Sequence, residues 1–137
     1  MNEPPGTDGV TVRRVVIDHL KIGVGDLARS RAFYAAALAP LGFGELTADE
    51  REVSFGPPGV DDFIVSTLVP AAAGLHVAFA AERRDQVDAF HAAALAAGGV
   101  DNGPPGPRTQ YSAGYYGAFV LDPDGHNVEA VCHGGAS

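Results

Sequence analysis

Two histidines and one glutamate have the residue types that could together hold a metal ion. His19 and His76 each lie in an alternating apolar run, and Glu129 lies within the apolar run Asn127–Cys132. Two imidazoles and one carboxylate suit a divalent first-row metal and leave coordination positions open for water or substrate. A single histidine in a strand is more often a surface or hydrogen-bonded residue, so the elements that position these three must be considered next.

The stretch Tyr116–His133 contains Glu129 and predicts a β-hairpin. Two runs rich in apolar and β-branched residues flank the tetrapeptide Asp122-Pro123-Asp124-Gly125. In a tight turn, an aspartate in the first position can cap its own backbone, proline presets φ, and glycine tolerates a positive φ. We therefore expect Glu129 in the middle of the second strand of this hairpin.

The region before the hairpin predicts two cycles of a strand followed by a helix and further strands. The first cycle comprises a strand at Val15–Val24, a helix capped by Asp26 and ended by Pro40 and Gly42, two weaker strands within Gly44–Phe55, and a strand at Asp62–Leu68. The second comprises a strand from Leu75 to Phe79, a helix at Arg83–Ala97, a short strand at Val100–Asn102, a loop at Gly103–Pro107, and the hairpin.

The two cycles are an internal repeat. Ala32–Leu38 shifted by 57 positions becomes Ala89–Leu95, and six of these seven positions are identical. The same shift converts His19 to His76. If the two modules pair about a pseudo-twofold axis, their first strands meet and the two histidines approach each other on one concave side. The repeat thus supports a shared metal site.

Composition limits the class of protein and its partners. The chain has 137 residues, is 46% hydrophobic, and carries a net charge of −8. This indicates a folded chain of one domain or two small modules, and it disfavours nucleic acid and anionic membranes as partners. The single cysteine, Cys132, excludes an intrachain disulfide and fits a reducing, cytoplasmic location. The N-terminus does not resemble a signal peptide, and no stretch is apolar enough to predict a membrane span.

Three segments resemble the vicinal oxygen chelate superfamily, which includes glyoxalase I, bleomycin-resistance proteins, fosfomycin-resistance enzymes and extradiol dioxygenases. They are IDHLKIGV with FYAAALAPLGF, GLHVAF with FHAAALAAGG, and YYGAFVLDPDGHNVEAV, of which DPDGHNVE is the most specific. The resemblance implies an α+β fold in which two tandem βαβββ modules form a curled mixed sheet around a metal and substrate cup. The modules would span residues 15–70 and 74–133, after a loose tail at residues 1–14.

The resemblance also implies the ligands. His19, His76 and Glu129 match the metal ligands of the first, fifth and eighth strands. Glyoxalase I has a further ligand on the fourth strand, where this chain has only apolar and hydroxyl side chains within Ile64–Thr67. The chain therefore departs from the glyoxalase pattern and keeps the three-ligand set of the fosfomycin-resistance and dioxygenase branches.

The function implied is a metal-dependent enzyme that acts on a small molecule with adjacent oxygens, as a lyase or isomerase or by ring cleavage. The cofactor would be a divalent metal (Fe, Mn, Zn or Ni) that stabilises a developing anion as a Lewis acid, and the chain would form a homodimer. The alternative is a non-catalytic protein that binds a drug-like molecule, as in the bleomycin-resistance branch. Such a binder has no reason to keep all three metal-ligand residues.

A cluster of one arginine and three tyrosines leads into the hairpin. Arg108 could hold an anionic group of a substrate, and the phenols of Tyr111, Tyr115 and Tyr116 could line a pocket or move a proton. Tyrosines are also ordinary strand residues, and an arginine here could be solvated. We expect these four residues to contribute to substrate binding because loops at the mouth of a curved sheet often carry binding residues.

Overall fold

Two four-stranded mixed sheets and two helices make up the fold in the computed structural model, which describes residues 16–134. The predicted tail at residues 1–14 lies outside the described residues. The elements are β1 (Leu20–Gly23), α1 (Leu27–Leu38), β2 (Gly44–Ala48), β3 (Glu52–Gly56), β4 (Phe63–Ser66), β5 (His76–Ala80), α2 (Arg84–Ala96), β6 (Val100–Pro107), β7 (Tyr115–Leu121) and β8 (Asn127–His133).

The two sheets have the same topology. The first has the strand order β1-β4-β3-β2 and the second β5-β8-β7-β6, so that adding four to each strand number converts one order into the other. In each sheet the first and last strands of the module are parallel, and the remaining pairs are antiparallel. The predicted α+β fold of two tandem βαβββ modules is therefore confirmed. No helix in residues 16–134 is long and apolar enough to cross a membrane.

The helices begin where the sequence predicts and bury equivalent residues. The side chain of Asp26 accepts a hydrogen bond from the Arg29 N–H at 3.1 Å, which confirms the predicted N-cap of α1. A short 3₁₀ turn follows this helix, and Gly42 then ends it with a φ of 86°. Phe33 and Phe90, related by the 57-residue shift, are both fully buried in the core. Each ring contributes roughly 1.5–3 kcal/mol through the apolar surface it removes from water.

Two predicted boundaries were wrong. The segment Gly103–Pro107, expected as a loop, belongs to the eight-residue strand β6. This strand tolerates its prolines because it pairs only with β7, at the edge of the sheet, with two register shifts. The first strand, expected over Val15–Val24, starts at Leu20 within the described residues, because its partner β4 begins only at Phe63. His19 therefore precedes its strand and His76 opens β5, so neither lies mid-strand.

The turn between β7 and β8 ties the two halves together. Asp122 Oδ1 accepts hydrogen bonds from the Asp124 and His126 N–H groups, and Asp122 Oδ2 accepts one from the Tyr34 hydroxyl at 2.5 Å. Asp124 in turn accepts hydrogen bonds from the Gly25 N–H and the Ser30 hydroxyl, beside the start of α1. Burial, and then the charge of Asp122, raise the pKa of Tyr34 well above its usual value. The phenol consequently stays protonated and donates to the carboxylate.

Candidate metal and substrate site

Glu129 is buried on the side of the second sheet that faces away from α2, which we call the outer face. Successive strand residues point to opposite faces, and Val128 and Ala130 pack into the core, so the carboxylate of Glu129 points outward. His76 lies on the same face of the neighbouring strand β5, and its Nε2 donates to Glu129 Oε1 at 2.9 Å. The glutamate is only 1% exposed, whereas the His76 side chain is 52% exposed. The imidazole thus connects a buried carboxylate to the surface.

The second oxygen of this carboxylate has its own donor. The Tyr115 hydroxyl donates to Glu129 Oε2, and burial, followed by this hydrogen bond, raises the pKa of Tyr115. Gly117 leaves the necessary room, because a Cβ there would lie 3.1 Å from Oε2 and 3.2 Å from the tyrosine ring. A buried carboxylate is costly unless its oxygens are hydrogen bonded. Both oxygens of Glu129 accept such a hydrogen bond, and neither donor residue is a lysine or an arginine.

His19 does not reach this pair. Its Nδ1 lies 2.8 Å from Asp18 Oδ1, and its side chain is 55% exposed. Within residues 16–134, no three His, Cys, Asp or Glu side chains are close enough to hold a metal ion together. The structure therefore brings together two of the three predicted ligands, His76 and Glu129.

A groove nevertheless connects the surroundings of the two histidines. Ile17 and Leu20, on either side of His19 in the sequence, line a groove of about 330 Å³ together with residues of the second half. The further lining residues are Asp62, Phe63 and His76–Phe79. The groove is thus lined by residues at the start of β1 and at the start of β5.

The fourth strand offers no carboxylate at the position equivalent to Glu129. Leu20 pairs with Phe63 in the first sheet, and Val77 pairs with Val128 in the second. Since Leu20 and Val77 are related by the repeat, Ile64 is the counterpart of Glu129. The two modules have equivalent backbones, but only the second has a carboxylate at this position.

The four predicted substrate-binding residues do not form one cluster. Tyr115 is in contact with Glu129, and the exposed Tyr111 packs its ring edge-on against Tyr115 at 4.9 Å. Tyr116 lies on the opposite face of β7, where its hydroxyl donates to Asp88 of α2 at 2.7 Å. Arg108 lies on the outer face, with its Cζ 5.5 Å from the ring centroid of Phe119. The structure thus separates Tyr116 from the other three.

Two further residues of this face, Gly117 and Phe119, were not predicted from the sequence. Phe119 pairs directly with Glu129, and its ring centroid is 6.1 Å from that of His76. The signal was available, because strand alternation places every second residue of β7 beside the outward residues of β8. Counting back from the predicted turn would have placed Tyr115, Gly117 and Phe119 on the face of Glu129.

Comparisons with known proteins agree with this architecture. The family model of the Glyoxalase/Bleomycin resistance protein/Dioxygenase superfamily matches residues 16–130. The chain belongs to this superfamily. No protein with a curated description matches it.

Solved structures with a similar fold are known, and one of them also has clear sequence similarity to this chain. A glyoxalase/bleomycin resistance protein from Albidiferax ferrireducens T118 is 34% identical, with a TM-score of 0.78 over 87% of this chain and 100% of that chain. A glyoxalase-related enzyme from Fulvimarina pelagi is 20% identical, with a TM-score of 0.66 over 89% of each chain. A glyoxalase/bleomycin resistance protein/dioxygenase family enzyme from Burkholderia phytofirmans PsJN is 18% identical, with a TM-score of 0.65 over 85% of this chain and 98% of that chain. The latter two similarities concern the fold alone.

Proposed function

We propose that the protein is a metal-dependent enzyme that acts on a small molecule with adjacent oxygens, with His76 and Glu129 at the centre of its site. The observation that carries this proposal is the contact between an exposed imidazole and a fully buried carboxylate on the outer face of the second sheet. Although both of its oxygens are hydrogen bonded, this carboxylate is buried without a lysine or arginine partner among the described residues, and such burial of a charge requires a functional reason. Ligation of a cation would supply that reason.

The residues present fit a divalent first-row metal by donor type. Imidazole nitrogen and carboxylate oxygen suit Fe, Mn, Zn and Ni, and His76 and Glu129 already converge. We propose His19 as the third ligand, which requires movement of its segment or contribution from a second copy of the chain. When bound, the metal would supply Lewis-acid stabilisation of charge on the adjacent oxygens of the substrate.

The protein's own residues would orient the ligands and bind the substrate. Tyr115 holds one oxygen of Glu129 and leaves the other directed at His76, which fixes the direction of the carboxylate. Tyr111 and Phe119 supply aromatic surface beside this pair, and Arg108 supplies positive charge. The groove that runs past His76 would admit the substrate.

A second candidate function is non-catalytic binding of an apolar small molecule. A cavity of about 230 Å³ lies between the two halves and is lined mainly by apolar side chains. The aromatic lining residues are Phe43, Phe55, Phe63 and Phe79. Such a cavity could sequester a ligand without any metal.

Elemental analysis of protein purified without a metal-affinity tag distinguishes these functions. The proposed enzyme should retain a divalent transition metal at a substantial fraction of one ion per chain, because a buried carboxylate and an imidazole favour its binding. Replacing His76 with alanine in the same purification should remove most of this metal. Metal at trace levels in the wild-type chain would favour the binding protein.

We further propose a cytoplasmic homodimer. The single cysteine, Cys132, is a buried free thiol, as expected in a reducing compartment. Strands β1 and β5 are edge strands with one hydrogen-bonded neighbour each, and exposed apolar residues, including Ile17 and Leu75, lie close to their starts. A second copy could cover these edges with twofold symmetry. Sedimentation velocity should show a dimer at micromolar concentration, and a monomer would contradict this assembly.

A further inference from the structure

The guanidinium of Arg108 is held in place by main-chain oxygens rather than by an acidic side chain. Its Nη2 donates to the Pro104 carbonyl at 2.6 Å, and its Nη1 donates to the carbonyls of Gly106 at 2.9 Å and Pro107 at 3.4 Å. Within residues 16–134, no Asp or Glu lies within ion-pair distance of it. The carbonyl groups fix the side chain but do not neutralise its charge.

Strand β6 is shaped to fit this side chain. A Cβ at Gly103 would lie 2.9 Å from the Phe119 ring and 3.3 Å from Arg108 Nη2, and a Cβ at Gly106 would lie 3.2 Å from Nη1. Both glycines therefore leave space that the guanidinium and the ring occupy. The segment Gly103–Pro107, which was expected as a loop, is thus part of a strand whose backbone packs against the Arg108 side chain.

An arginine held in this way is suited to bind an anion. A guanidinium has five N–H donors in a fixed plane that matches an oxyanion, and the carbonyl contacts engage only Nη atoms, so Nε–H remains available. The side chain has also lost much of its conformational freedom before any ligand arrives. Because the whole chain carries a charge of −8, a local cation is needed to attract a negatively charged ligand.

The position of this arginine relates it to the proposed metal ligands. Its guanidinium lies over Phe119, and Phe119 is the direct partner of Glu129 on the next strand. The separation between the guanidinium and the carboxylate therefore corresponds to one or two strand spacings, roughly 5–10 Å. A single aromatic ring with substituents at opposite ends spans such a distance.

We propose that Arg108 binds an oxyanion at one end of the substrate, whose planar or apolar body lies against Phe119. The substrate class is then a small carboxylate-type anion whose other end reaches His76 and Glu129. Only the reaction at that other end rests on the proposed metal-dependent function. Anion binding at Arg108 stands without it.

A ligand titration in the presence of a chelator tests this site independently of any metal. Benzoate and its neutral analogue benzamide are added to ¹⁵N-labelled protein, and the Nε–H resonance of Arg108 is followed by NMR. We expect benzoate to bind about tenfold more tightly than benzamide and to shift this resonance. In Arg108→Gln the preference should fall to about one, and Arg108→Lys should keep part of it because its charge remains. The control Arg29→Gln, on exposed α1 surface, should keep the full preference.

The outcomes separate this inference from the proposed reaction. Equal binding of benzoate and benzamide, no saturable binding of benzoate, or a preference that survives in Arg108→Gln would each overturn the anion site. Unchanged backbone resonances of Val100 and Asp101, which pair with β7 at the end of β6 away from Arg108, show that β6 remains folded in the variants. In a separate arm, Zn²⁺ is added and catechol, which has adjacent oxygens but no anionic group, is titrated. Failure of Zn²⁺ to strengthen catechol binding counts against the metal-dependent reaction and leaves the benzoate result unaffected.

Discussion

Replacing Asp122 with alanine is expected to lower the free energy of unfolding by about 3 kcal/mol, a large effect for a turn residue. The carboxylate accepts hydrogen bonds from two backbone N–H groups of its own turn and from the hydroxyl of Tyr34 in the other half of the chain. Alanine would leave all three donors without this acceptor, and Tyr34 is fully buried. Urea denaturation followed by circular dichroism measures the change.

Two further variants show whether the link between the halves is responsible. Tyr34→Phe removes one donor and leaves the turn intact, so it should cost about 1–2 kcal/mol. Asp61→Ala removes an exposed carboxylate just before β4 and should change stability by about 0.5 kcal/mol or less. An Asp122→Ala protein as stable as Asp61→Ala would show that the turn does not tie the halves together.

Replacing Glu129 with glutamine is expected to weaken metal binding by about 100-fold or more, because the buried carboxylate that contacts His76 becomes a neutral amide. The substitution keeps the shape of the side chain, so the fold should persist. Isothermal titration of metal-stripped protein with Zn²⁺ gives the affinity. Tyr115→Phe should cost less, about tenfold, since it removes only the hydroxyl that holds Oε2.

Tyr111→Phe is the matched control for these variants. Its ring packs against Tyr115, but its side chain is largely exposed. Its metal affinity should therefore remain within about threefold of the wild type, as expected for a change outside the ligands and their hydrogen-bond partners. An affinity of Glu129→Gln within about threefold of the wild type, no lower than that of Tyr111→Phe, would show that the glutamate does not act as a ligand.

The fold was largely predictable because each module carries local signals that agree with its tertiary role. Asp26 caps α1, Gly125 accepts the positive φ of its turn, and the repeated phenylalanines mark the core. The prediction failed where pairing between strands overrides the local conformational preference of the residues. The Pro/Gly-rich segment of β6 predicted a loop, but β7 provides a neighbour along which it can pair as an edge strand.

The site was predictable in part. His76 and Glu129 are in contact, but the repeat predicted that His19 would approach His76, and the alternating run around His19 did not reveal where strand pairing starts. Treating Tyr115 and Tyr116 as one cluster ignored the opposite orientation of neighbouring strand residues. The hydrogen bonds from Arg108 to backbone carbonyls could not be predicted from residue types, because they depend on the path of the β6 backbone.

Titration of the metal-stripped wild-type chain with a divalent transition metal, beside His76→Ala and His19→Ala, tests the central claim most directly. We predict about one ion bound per chain in the wild type and comparable losses of affinity in the two variants, since each removes one imidazole nitrogen. A loss in His19→Ala would show that this residue joins His76 and Glu129 when metal binds. Stoichiometry near zero in the wild type, or unchanged affinity in His76→Ala, would contradict the metal enzyme and leave the small-molecule binding protein.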